Sequence, residues 1–152
     1  MNIEDALTLY KKHGKDLWHY YAAQGWVESR FREDARSPAG AVGIAQFMKI
    51  TIDDLAERFN FAFNPLDPDK AIQAQIIYME WCLKATDQDT RKALAAYNWG
   101  YSNLRKCMIK YRNKWIRNIP LETHAYIMQV ISIKELFRHL DKEYEMFSMS
   151  GK

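Results

Sequence analysis

The feature that most restricts the fold is a spacing. Apolar residues recur every third or fourth position, between residues that start and stop helices. Asn2, with Asp5 three residues on, can cap a first helix carrying Leu7 and Tyr10. From Lys15 to Arg32 the stripe runs Leu17, Tyr20, Tyr21, Gln24, Val27, Glu28 and Phe31, with two polar residues set into it. The turn-rich run Ser37-Pro38-Ala39-Gly40, with Gly43 soon after, closes that segment. Thr51 with Asp54 predicts a cap for a helix through Phe59, and Asn64-Pro65 predicts a turn. Asp67 then Pro68 reads as a cap followed by proline at the first helical position, opening a helix to about Ala85 with Ile72, Ile76, Met79 and Leu83 on it. Asp89 can cap the next helix, which Asn98-Trp99-Gly100 stops. Ile119-Pro120 opens the last, with Tyr126, Ile127, Val130, Ile131, Phe137 and Leu140 on a face. No period-two run is bounded by hairpin turns. The expectation is a compact all-α domain with little or no β-structure.

At 152 residues the chain suits one domain, 1–152, with a core large enough to need no staple. Hydrophobic residues are 48% and charged residues 27%, the balance of a globular protein. Five Trp and nine Tyr suit a core whose edge meets a polar ligand, and equally plain packing. A net charge of +3 favours polyanions without choosing among them. Cys82 and Cys107 have no neighbouring Cys, which sets aside metal and redox motifs and leaves buried thiols, or one disulfide. No nucleotide loop or metal cluster is visible, so no cofactor and no metal are expected. No window reaches the apolar length of a membrane span, and Met1 to Asp5 lacks a signal-peptide core.

Three places in the chain can carry chemistry. Glu28 lies on an apolar stripe, where burial favours the neutral acid; about 2.3 kcal/mol of differential solvation moves a glutamate from ~4.3 to ~6. Such a carboxyl can donate a proton near neutral pH. Position alone favours a blander reading, a surface pair between Glu28 and Arg32 four residues on. The segment Ser37 to Gln46 is the second place: Ala39, Gly40, Ala41 and Gly43 let backbone approach a ligand, and Gln46 offers a donor and an acceptor. The third is Ala95-Ala96-Tyr97-Asn98-Trp99-Gly100 at a helix end, where Asn98 can cap and Tyr97 can be core.

Together these pieces resemble the soluble lytic transglycosylase family, a goose-type lysozyme-like helical domain. The resemblance begins at Val27-Glu28-Ser29-Arg30-Phe31 and continues through Ala35-Arg36-Ser37-Pro38-Ala39-Gly40-Ala41, Gly43-Ile44-Ala45-Gln46-Phe47-Met48 and Thr51. It runs on through Asn64-Pro65-Leu66-Asp67-Pro68, Ala71-Ile72 and Ala93 to Gly100, and closes at Ile119-Pro120-Leu121-Glu122-Thr123 and Tyr126. It spans about residues 18–130. By it, Glu28 takes the place of the catalytic acid/base and Ser29 that of the residue supporting it. Gln46, Tyr97 and Asn98 take places lining the sugar cleft, and Glu122 and Tyr126 belong to the late motif whose tyrosine closes on the carboxyl. The odds for Glu28 then turn from surface pair to catalysis. Ala45 stands where the family usually has methionine, and Trp99 where it has a small residue; both bear on substrate choice.

The resemblance implies an enzyme that cleaves the β-1,4 bond between N-acetylmuramic acid and N-acetylglucosamine in peptidoglycan glycan strands, leaving a 1,6-anhydromuramoyl end. Hydrolysis of the same bond by water, as in a muramidase, is the alternative, since Glu33, Asp34 and Glu122 can supply a second carboxylate. A monomer is expected, acting on the bacterial cell wall in the periplasm. With Met1 and no export signal, the chain suggests a bacteriophage endolysin released at lysis or an enzyme carried in a virion. From another class comes a nucleic-acid binder. Asn103 to Arg117 holds Arg105, Lys106, Lys110, Arg112, Lys114 and Arg117 with Tyr111 and Trp115 interleaved and no acid, although a solvated basic face ranks above it. A non-catalytic wall-binding module is the third possibility.

Overall fold

The computed structural model describes residues 1–150, and among them seven α-helices carry the architecture. They are α1 (Ile3–Gly14), α2 (Trp18–Ser29), α3 (Lys49–Arg58), α4 (Pro68–Ala85), α5 (Thr90–Trp99), α6 (Tyr101–Tyr111) and α7 (Leu121–Ser150). Short 3₁₀ turns at Lys15–Leu17 and Arg112–Arg117 join α1 to α2 and follow α6. The described residues hold no strand, only the bridges Arg36 to Val42 and Val42 to Phe47 inside one loop. The all-α expectation holds.

Three caps act as the sequence predicts. The side chains of Asn2, Asp67 and Asp89 accept from the backbone N–H of Asp5, Lys70 and Lys92, each supplying an acceptor to a donor that its helix leaves open. Gly100, at φ 95, ends α5 as expected. Two expectations need correction. Thr51 is not a cap: α3 starts at Lys49 behind Met48, which makes no side-chain cap bond. The segment from Lys15 to Arg32 is not one helix either. It opens with a 3₁₀ turn and stops at Ser29, because Arg30 and Phe31 both turn left-handed at φ 57 and 61. That reversal drives Phe31 into the core, fully buried between Tyr10, Trp26 and Phe137, and burial of an aromatic ring outweighs the strain. The helix α6, beneath the basic run, was not foreseen.

The core lies where α2 packs against α7 on one side and α1 on the other, with α4 and α5 closing it. Cys82 and Cys107 are both buried free thiols, so no disulfide forms. No helix among the described residues is long and apolar enough to cross a membrane. A groove of about 640 Å³ opens between α1 and the distal half of α7, walled by Leu7, Trp18, Trp26, Leu136, Phe137 and Leu140. None of the candidate residues named above borders it.

Candidate active site

Glu28 occupies the last turn of α2 and is half-buried. Burial is the main influence on it and drives its pKa from 4.5 up to about 7; the negative charge of Glu122 pushes the same way, and the Tyr126 hydroxyl opposes both. The surface-pair reading fails on geometry. Arg32 lies beyond the end of α2, its Nε donates to the Ser29 carbonyl at 3.1 Å, and no ion pair joins it to Glu28.

Tyr126 enters from α7 with its ring buried, and α7 reaches the site because its long face packs along α2. Its hydroxyl interacts with both the Glu28 carboxyl and the Gln24 amide, yet reaches standard hydrogen-bond geometry with neither. Desolvation, reinforced by the Glu28 charge, holds the Tyr126 proton on well above the usual phenol range. Tyr97, from α5, is held the same way for the same two reasons. Glu122, one turn before Tyr126, is exposed and acts on Glu28 through its charge. The structure therefore gathers Glu28, Tyr97, Glu122 and Tyr126 from three helices distant in sequence.

The remaining wall is the loop from Arg30 to Met48, and side-chain bonds to its own carbonyls hold it. Ser29 Oγ directs its one hydrogen to the Ile44 carbonyl at 2.7 Å, with the Gly25 carbonyl at 3.2 Å as a weaker, shared acceptor, fastening the loop to α2. Gln46 spends both amide hydrogens on the carbonyls of Ala35 and Gly43, at 3.1 and 2.9 Å. Tyr97 donates its hydroxyl to the Ala45 carbonyl at 3.2 Å. Gly43, at φ +83, is fixed by more than its backbone angle: a Cβ there would collide with the Pro65 carbonyl. The Ala45 methyl is fully buried, so this loop meets solvent with other atoms. Asn98 is half-buried and has no side-chain cap bond, and Trp99 is half-buried beside it.

Sequence reasoning passed over the polar floor under Glu28. Tyr10, Gln24 and Gln75 are fully buried and bonded to one another; the visible signal was a polar residue on each of two apolar helix faces. In the basic run, Arg105, Lys106, Lys110, Arg112, Lys114 and Arg117 are exposed, but Trp115 is a core residue. That takes away one of the two rings a nucleic-acid surface there would stack on.

The arrangement is a helical domain that holds one glutamate near neutrality beside a buried tyrosine, with a second, exposed carboxylate acting on it through its charge. The chain belongs to the transglycosylase SLT domain family, whose family model matches residues 10–120. It is 37% identical to membrane-bound lytic murein transglycosylase F of Histophilus somni (strain 2336), over 90% of this chain and 29% of that protein. The protein of the same name from Yersinia pseudotuberculosis serotype I (strain IP32953) is 30% identical over 63% of this chain and 20% of its own. Among solved structures, the 70 kDa soluble lytic transglycosylase of Escherichia coli matches with a TM-score of 0.79 and 24% identity, over 88% of this chain and 24% of that one. An inactive mutant of lytic transglycosylase Slt from Pseudomonas aeruginosa matches with a TM-score of 0.78 and 25% identity, over 93% and 25%. The chain thus spans less than a third of the length of each of these proteins.

Proposed function

We propose that this domain is a peptidoglycan lytic transglycosylase, with Glu28 as its only catalytic acid and base. The observation that carries the reading is the Glu28 carboxyl itself, half-buried and raised to about 7, which keeps it mostly protonated in mildly acidic conditions and leaves a large protonated share at neutrality. The relatives are named for murein, which gives the substrate class; the bond that the resemblance implies is the β-1,4 bond between N-acetylmuramic acid and N-acetylglucosamine.

The steps balance on one proton. Glu28 gives its proton to the glycosidic oxygen as the C1–O bond breaks with oxocarbenium character. The carboxylate then takes the proton of the muramic acid 6-hydroxyl, whose oxygen bonds to C1. The product is a 1,6-anhydro end, no water is consumed, and the acid is restored. Tyr126 donates to the carboxylate in the interval between the two transfers. Gln46 Oε1 is left to accept from the glycan, since both amide hydrogens are spent on the loop, and Asn98 is a second polar contact for it. Ser29 holds the Ile44 turn of the wall in place. The domain works as a monomer at the cell wall, and the exposed basic face of α6 attracts the anionic polymer.

Hydrolysis is the second reading, favoured by one observation: the charge of Glu122 reaches Glu28, and its carboxylate is exposed to the water that a hydrolase would activate. Mass spectrometry of fragments from purified peptidoglycan separates the two, because the anhydro end is lighter by one water. Reducing ends throughout refute the transglycosylase reading. Glu28→Gln keeps the side chain's shape and removes its proton, and is expected to lower fragment release by ~10²–10⁴-fold while the protein stays folded. Near wild-type clearing of cell walls by folded Glu28→Gln removes Glu28 from the mechanism.

A further inference from the structure

Beneath Glu28 a chain of buried side chains has only one possible hydrogen-bonding direction. It starts from a group that can only accept, the backbone carbonyl of Tyr21. Gln75 Nε2 lies 2.9 Å from that carbonyl, so it must be the nitrogen, and its second hydrogen goes to Gln24 Oε1 at 2.8 Å. Gln75 Oε1 accepts from the Tyr10 hydroxyl at 2.7 Å. Flipping either amide would set two donors or two acceptors face to face. Gln24 is therefore oriented with its oxygen toward Gln75 and its NH₂ turned away.

That NH₂ is fully buried and reaches no partner at full hydrogen-bond geometry, and the same holds for the Tyr126 hydroxyl, with which it interacts. Gln24 lies one helical turn before Glu28, on the same face of α2. An amide NH₂ can only donate, so closing the short gap makes the Tyr126 oxygen its acceptor and leaves the phenolic proton pointing at Glu28. Gly25 belongs to the same construction, because a Cβ there would strike the Tyr10 hydroxyl. We infer that Gln24 is a positioning residue, which acts through Tyr126 to hold that hydroxyl as a donor to the Glu28 carboxylate after it has given up its proton. Two orphaned buried groups in one spot would cost stability without such a use.

The inference rests on Glu28 as the acid, and the charged and titratable groups facing that carboxyl are Tyr126 and Glu122 on α7, Tyr97 on α5 and Tyr10 on α1. The test is the pH profile of cleavage of soluble glycan fragments by Gln24→Met, which keeps the length of the side chain and removes its donor. Without the donor the carboxylate is less stable, so the basic limb of the profile should move up by about half a unit to one unit. The turnover number should fall about tenfold with KM within about twofold, the mark of an interaction formed after binding. In a Tyr126→Phe background the same change should shift nothing more. An unmoved limb, or an equal shift without the Tyr126 hydroxyl, overturns the inference. Should Gln24→Met not fold, the wild-type protein gives the answer: the Gln24 side-chain ¹⁵N–¹H signals should titrate near pH 7 and stop doing so in Glu28→Gln. Gln24 signals that stay flat with pH overturn it as well. Active Glu28→Gln removes the acid–base reading itself, whereas inactive Glu28→Gln beside an unmoved Gln24→Met limb removes Gln24 alone.

Discussion

The two walls of the site are built on opposite principles. The helical wall of α2, α5 and α7 holds a carboxyl where solvation is poor, and leaves buried polar atoms of Gln24 and Tyr126 without partners. The loop wall from Arg30 to Met48 has its polar groups answered: Ser29, Gln46 and Tyr97 bond its carbonyls, and its own backbone closes tight turns at Ser37 to Ala41 and Val42 to Phe47. The first wall is costly to the fold and useful to chemistry. The second is stable because it does no chemistry with its side chains and only has to keep its shape. Function and stability are thus separated in space, and substitutions on the two walls should change stability in opposite directions.

The largest effect should come from the loop wall. Gly43→Ala places a methyl against the Pro65 carbonyl in a backbone conformation that disfavours side chains, and should destabilise by about 3 kcal/mol or more. A chemical-denaturation midpoint close to wild type would break the comparison.

On the helical wall the sign reverses. Glu28 binds a proton in the folded state between pH 4.5 and about 7 that the unfolded chain has released, so its contribution is intact below pH 4.5 and lost as pH rises through 7. Glu28→Gln should therefore match wild type near pH 4 and exceed it by up to about 3 kcal/mol at pH 8. Thermal melts at the two pH values check this, and a variant no more stable at pH 8 would mean that the carboxyl is well solvated.

Ser29→Ala leaves the Ile44 carbonyl without its donor in a buried place and should cost about 1–3 kcal/mol, with a loss of activity that follows the looser loop. The smallest effect belongs to Glu122→Gln. Removing a negative neighbour that is itself exposed should lower the Glu28 pKa, moving the basic limb of the activity profile down by a few tenths of a unit, less at high salt. A collapse in activity instead would favour Glu122 as a water activator and hence hydrolysis.

Much of the helical wall was legible beforehand, for a definite reason. Caps at Asn2, Asp67 and Asp89 act within four residues of themselves, and a helix of known phase fixes which of its residues share a face. Glu28 was therefore visible as a carboxyl on an apolar stripe before any coordinates. The early stop of α2 was not, because the left-handed turn at Arg30 and Phe31 exists to bury a ring between partners from α1 and α7. Thr51 misled for the converse reason: a capping pattern signals a helix start only where the backbone has not already begun to coil.

Local spacing thus determined most of the helices, the absence of strands among the described residues and the glutamate on an apolar stripe, since each depends on interactions between residues about a turn apart. Only the folded chain decided that Glu28 is raised to neutrality and faces Tyr126, and that Tyr10, Gln24 and Gln75 form one bonded line beneath it. Hydrogen-bond direction is set by pairs 65 and 51 positions apart in sequence, and burial by the packing of whole helices, so no pattern within a helix can specify them.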